Sequence, residues 1–130
     1  MATQTTTARR DIEAFCAQLA LHGIRPQRVI LFGSWASGRQ HFGSDIDLIV
    51  VSNNFRGKGM RRRLELLGMA AGDALVPVQA LGYTPAEFAA PETGSFLDMI
   101  LSEKTVEIPV RRVVRRPKRQ PRPEKRRASA

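Results

Sequence analysis

Two carboxylates, Asp45 and Asp47, stand two residues apart at the head of an apolar run, Leu48-Ile49-Val50-Val51. In an extended strand alternate side chains share a face. Both carboxylates therefore point the same way, with their Cα atoms about 6.6 Å apart at a rise of about 3.3 Å per residue. Carboxylates that close repel each other unless something positive lies between them. A hard divalent cation does this well, and Mg²⁺ in particular is held by one or two carboxylates together with substrate phosphate oxygens. Ile46 points to the opposite face, into the core, and the run 48–51 anchors the strand, so the two candidate metal ligands sit on a rigid element.

Ten intervening residues separate Asp45 from a second small constellation, Gly33-Ser34, at the end of the apolar stretch Arg28-Val29-Ile30-Leu31-Phe32. A glycine closing a buried strand lets the backbone approach a ligand closely. A helix opening at Ser34 would turn its free N–H groups toward an anion, and the Ser34 hydroxyl adds another donor. If the two strands are neighbours, a phosphate grip and a metal pair meet at one end of a sheet. A lone Gly-Ser or a lone Asp-x-Asp carries little information. The information lies in their joint spacing between two apolar strands.

The elements that must position these residues follow from periodicity and punctuation. Residues 9–22 place Ile12, Phe15, Cys16, Leu19 and Ala20 at helical spacing, with Thr7 as N-cap and Gly23 and Pro26 as stops. Residues 1–8 read as a flexible N-terminus. Strands are predicted over 28–32 and 45–52, joined by a short helix at 35–38 and a loop at 39–44. A helix follows over 60–71, with Leu64, Leu67 and Ala71 on its apolar stripe and Arg61, Arg62 and Arg63 in a solvated first turn. A third strand over 75–83 contains Pro77, which implies a sheet edge or a strand start. Thr84-Pro85-Ala86-Glu87 is a capping-box helix start. A helix over 96–101 and a short strand over 105–110 complete an α+β (α/β) pattern with a small mixed sheet. At 130 residues and 42% apolar content, one domain with a single layer of helices on one sheet is the expected limit.

The formal charge of +9 is unevenly placed. Residues 111–130 carry ten Lys/Arg and the single acid Glu124, which leaves eleven basic and eleven acidic residues in 1–110. The body is neutral, and the excess belongs to a proline-containing segment too polar to offset its chain entropy, expected to be disordered. It has no aromatic residue to stack on bases, so any nucleic-acid contact through it would be nonspecific. Cys16 alone cannot form an intrachain disulfide. Residues 1–7 lack an apolar signal core, and the run 48–51 is far too short to span a bilayer. A cytoplasmic protein without a membrane partner is the expectation.

The stretch LFGSWASGRQHFGSDIDLIVV, residues 31–51, resembles the minimal nucleotidyltransferases (MNT) of the DNA polymerase β-like superfamily, whose signature is an apolar residue, Gly-Ser, a spacer and Asp-x-Asp. The spacer is similar to that of MNT antitoxins paired with HEPN ribonuclease toxins. GYTPAEF (82–88) and FLDMILSEKTVEI (96–108) extend the resemblance over about residues 10–110. It implies that Gly33, Ser34 and Ser44 bind a nucleoside triphosphate and that Asp45 and Asp47 bind Mg²⁺. AMP from ATP would pass to a hydroxyl, most simply on a cognate HEPN toxin.

There are departures from the family pattern. Members commonly carry a third carboxylate on the strand before the TPxEF passage, and here that position is Gln79, which cannot act as a base. Asp73 precedes the strand and is a poor substitute, and Glu87 fits a capping box better. Ser37 stands where an Arg is frequent, with Arg39 following Gly38. His22 suits a helix C-terminus, His41 a solvated loop, Trp35 a place under the Gly33–Ser34 turn, and Cys16 the core. Gln79 leaves open a degenerate nucleotide- or partner-binding module. Transfer to a small molecule is a further alternative, although such enzymes usually need a further domain to hold the substrate, for which this chain has no room.

Overall fold

The computed structural model describes residues 2–41 and 43–110, with side chains described from Ala8 onward. The predicted disordered tail, 111–130, lies outside the described residues.

The chain runs α1 (Ala2–Leu21), β1 (Arg28–Phe32), α2 (Ser34–Ser37), β2 (Ile46–Val51), a 3-10 turn (Asn53–Phe55), α3 (Met60–Ala74), β3 (Val78–Tyr83), α4 (Pro85–Ala89), α5 (Phe96–Leu101) and β4 (Val106–Ile108). The sheet order is β3-β2-β1-β4. β1 is antiparallel to both β2 and β4, whereas β2 and β3 are parallel and connected through α3. This is the mixed α+β sheet expected. β3 is an edge strand that starts directly after Pro77, so both readings of that proline hold.

Alternation along the strands divides the core. Val29, Leu31, Ile46, Leu48 and Val50 face α1 and α3, where Ile12, Phe15, Cys16, Leu19, Leu67 and Ala70 complete one cluster. Ile30, Ile49 and Val51 face the other way, onto Leu97 and Ile100 of α5, with Phe32, Leu81, Tyr83 and Phe88 packed against them. Each fully buried side chain of this size contributes about 1.5–3 kcal/mol of transfer free energy. Helices thus cover both faces of the sheet, not one. The second cover consists of the two short helices α4 and α5, both expected from the sequence, which bring Phe88, Leu97 and Ile100 to this face. Cys16 is fully buried, and burial, with a smaller effect from Glu13, pushes its thiol up to about 12.

Several details differ from the reading of the sequence, among them that β3 starts at Val78 rather than at residue 75 and that α3 runs on to Ala74. α1 reaches back to Ala2, so residues 2–8 belong to the helix and Thr7 lies inside it rather than at its cap. Ala8 is buried, and this contact continues the apolar stripe one turn beyond Ile12. β2 begins at Ile46, leaving Asp45 just ahead of the strand. On α3 the buried face is Arg63, Leu66, Leu67 and Ala70, whereas Leu64 is half exposed.

Arg63 is the main correction. Arg61 and Arg62 are solvated and share Glu65, at 3.8 and 3.2 Å. Arg63 is buried instead. Its guanidinium donates to the carbonyls of Lys58 (2.8 Å) and Gly82 (3.1 Å) and to both oxygens of Glu87 (2.7 and 3.2 Å). It also lies 5.6 Å from the Phe55 ring. That ring explains a glycine within β3, because a Cβ on Gly82 would sit 2.6 Å from Phe55 Cζ. Glu87 meanwhile closes the capping box with Thr84 as expected, so one carboxylate ties α4 to both its own cap and α3.

Among the described residues, no helix is long and apolar enough to cross a membrane.

Candidate active site

β1 ends at Phe32, directly opposite Asp47 in the antiparallel register, and the chain then turns at Gly33. Gly33 adopts φ 75°, a left-handed conformation that disfavours any Cβ. A second constraint acts at the same atom. A Cβ there would overlap Oδ2 of Asp47 and lie 3.2 Å from its Cγ. The bend and the second aspartate are therefore in direct contact, as the spacing of the two half-motifs requires.

α2 opens at Ser34 with Gly33 as its N-cap. The N–H groups of Ala36 and Ser37 return to the Gly33 carbonyl, at 3.1 and 3.2 Å. Those of Ser34 and Trp35 head the helix, where no intrahelical carbonyl can serve them. The helix is four residues long, so its dipole is small, and any grip on an anion depends on these local donors and the Ser34 hydroxyl.

The loop that follows is closed by Ser44. Its hydroxyl accepts from the His41 N–H at 2.8 Å, and its own N–H donates to the His41 carbonyl at 2.8 Å. The Ser44 carbonyl lies 3.5 Å from Trp35 Nε1, the limit of a hydrogen bond. Trp35 packs on the core beneath the bend, as expected. Ser44 thus has a loop-closing role, while its hydroxyl proton is still able to meet a ligand.

Asp45 is exposed and Asp47 half-buried. The Asp47 carboxyl titrates above its ordinary value, chiefly because it is buried and secondarily because the charge of Asp45 faces it. Such mutual repulsion between oxygen donors is what a hard divalent cation relieves, so this pair fits the metal that the motif implies. Among the described residues, no group of three or more His, Cys, Asp or Glu side chains is gathered for a metal.

Gln79 occupies the place on β3 directly beside Asp47 in the parallel register. Its amide Nε2 donates to Asp45 Oδ2 at 2.9 Å. The two predicted ligands and the residue at the third-carboxylate position are thus brought together. The other acids are not. Asp73 lies on α3, on the opposite face of the sheet from Asp47, and bonds His22 Nε2 at 3.0 Å. This contact is also the role of His22 at the end of α1.

Beside Asp47 and Gln79 opens a cavity of about 470 Å³ along the free side of β3, lined by Phe32, Leu64, Leu81 and Phe96 among others. Sequence reasoning missed these walls. Phe32 adjoins Gly33 and could have been suspected, but Phe96 comes from α5, far along the chain, and Leu64 was assigned to the core.

The comparisons with known proteins agree with this geometry. The nucleotidyltransferase domain family matches residues 10–113. Among solved structures, a provisionally assigned nucleotidyltransferase from Sulfolobus solfataricus is similar in fold, with TM-score 0.53 and 17% identity over 76% of this chain and 77% of that one. No curated protein is similar enough in sequence to count as a match. The family match spans most of the chain and the whole of the Gly33–Asp47 constellation, and on that ground this chain belongs to the nucleotidyltransferase domain family.

Proposed function

We propose that this chain transfers AMP from ATP to a hydroxyl on a protein acceptor, a cognate HEPN-type toxin, and so acts as its antitoxin. The observation that carries the reading is the contact between the Gly33 bend and the Asp47 carboxylate, with Asp45 on the same side. This contact supports reading the bend as a phosphate grip and the two aspartates as a metal pair.

In this reading, Gly33 gives the triphosphate close access to the backbone, and the Ser34 hydroxyl and the N–H groups heading α2 hold its oxygens. Asp45 and Asp47 would hold Mg²⁺, which neutralises charge on the α-phosphate and the leaving pyrophosphate. The rest of the contribution is positioning. Gln79 offers the acceptor no base. An aliphatic hydroxyl would be left without help, whereas a phenol, with a pKa near about 10, needs less. The apolar cavity beside Asp47 suits an aromatic acceptor side chain.

Gln79 also favours a second reading, in which the site binds nucleotide or partner without chemistry. One experiment separates the two. The full chain is incubated with ATP, Mg²⁺ and the product of the adjacent gene, and the partner's mass is measured. A gain of one AMP, lost in Asp45→Ala, is the expected result. Transfer only after Gln79→Asp would favour the second reading, and no transfer by either form would contradict the first.

A further inference from the structure

We infer that the site is built for a single divalent ion and that Gln79 is the residue that keeps a second one out; this rests on the reading of Asp45 and Asp47 as metal ligands. Sites that move phosphoryl or nucleotidyl groups with two ions place them about 3.5–4 Å apart. One ion can be held by shared carboxylates and the triphosphate oxygens, but the second then needs a further anionic protein ligand.

The sheet register limits where such a ligand could come from. On the face of β2 that carries Asp47, the neighbouring positions are Phe32 on β1 and Gln79 on β3. Phe32 has no donor atom. Gln79 is neutral and presents its amide nitrogen, not its oxygen, to Asp45 Oδ2 at 2.9 Å. The opposite amide orientation would set two oxygens against each other. A proton-bearing nitrogen therefore fills the flank where a second cation would need a carboxylate. It also engages one lone pair of a ligand that the first ion must share. Asp73 and Glu87 are engaged elsewhere: Asp73 bonds His22 on the opposite face of the sheet, and Glu87 bonds Arg63 and its own cap.

A consequence reaches the acceptor. With no second ion to ionise the incoming hydroxyl, its reactivity follows its own acidity.

Electron paramagnetic resonance of Mn²⁺ bound to the full chain tests this, with a non-transferable α,β-methylene analogue of ATP present. Paired Mn²⁺ ions at bridging distance give an exchange-coupled spectrum, and a lone ion does not. The wild-type chain should give an uncoupled spectrum even at excess metal. Gln79→Asp, or Gln79→Glu with its longer reach, should give the coupled one, with the second ion bound at least about ten-fold more tightly than in the wild type. Gln79 is exposed on an edge strand, so either variant should fold. A coupled wild-type spectrum would overturn the single-ion inference and leave the metal-site reading intact. Uncoupled spectra in both variants would overturn Gln79 as the determinant. Wild-type binding no tighter than that of a D45A/D47A double variant would instead remove the metal site itself, and the proposed transfer with it.

Discussion

Asp47→Asn abolishes nucleotidyl transfer, by about 10³-fold or more, while the folded chain becomes more stable than the wild type at neutral pH. The loss follows from the role proposed for Asp47. The amide keeps the shape but not the charge, and removing one such electrostatic element costs about 10²–10³ in rate even where metal binding survives. The gain in stability follows from titration. Folding raises the Asp47 pKa above 3.8, through burial first and Asp45 second. The folded state thus holds this proton more tightly than the unfolded chain does. Its penalty on stability is absent below the ordinary aspartate range, grows as pH rises through the raised folded-state value, and is complete above it. Asparagine has no such penalty. Melting temperatures of the two forms should coincide at low pH and diverge as pH rises, with the variant higher. Adding Mg²⁺ and nucleotide should raise the wild-type melting temperature and leave that of the variant nearly unchanged. A variant less stable than the wild type at neutral pH would show that the carboxylate is a structural partner.

Arg63→Ala is the substitution expected to damage the fold most, by about 2–4 kcal/mol. The buried carbonyl of Gly82 loses its donor, which alone costs about 1–3 kcal/mol. The space under Phe55 also empties. Against a domain stability of about 5–15 kcal/mol this is a large fraction. Glu87→Gln should cost far less, about 1 kcal/mol or below, because Glu87 is 46% exposed and glutamine can still complete the capping box. The Arg63 guanidinium, foremost among several groups, holds the Glu87 carboxyl below its ordinary value of 4.5. Its contribution is therefore present above that value and fades as pH falls through the depressed one. Urea unfolding at neutral pH orders the two variants, and equal losses would contradict the asymmetry in their burial.

Much of this architecture was legible in the residues. The element order came from apolar periodicity and from punctuation by Gly23, Pro26, Pro77 and Thr84-Pro85. The meeting of Gly33 with Asp47 could be foreseen because two short strands with a short connection have few ways to avoid pairing. Long-range register was not legible. Nothing local says that Gln79 stands beside Asp47, or that Phe96 closes the cavity next to it. The resemblance to a family pointed to Gln79, and the sheet shows why that position counts. Arg63 was misread because three consecutive arginines look alike in sequence. Their helical angles differ by about 100° each, which sends one of them inward. Leu64 failed for the same reason. An amphipathic stripe drawn through Leu64, Leu67 and Ala71 lies about one position away from the true buried face, and only the contact with Phe55 and β3 decides between them.

The proposed transfer depends on Asp45 and Asp47 sharing a divalent ion against the Gly33–Ser34 bend. Paramagnetic broadening of the amide signals of the ¹⁵N-labelled chain by substoichiometric Mn²⁺, with nucleotide present, locates that ion directly. The signals of Gly33, Ser34, Asp45 and Asp47 should fade first and together, and should persist in Asp47→Asn. Broadening centred on Glu92, Asp98 or Glu103 instead, with the bend unaffected, would place the ion away from Asp45 and Asp47.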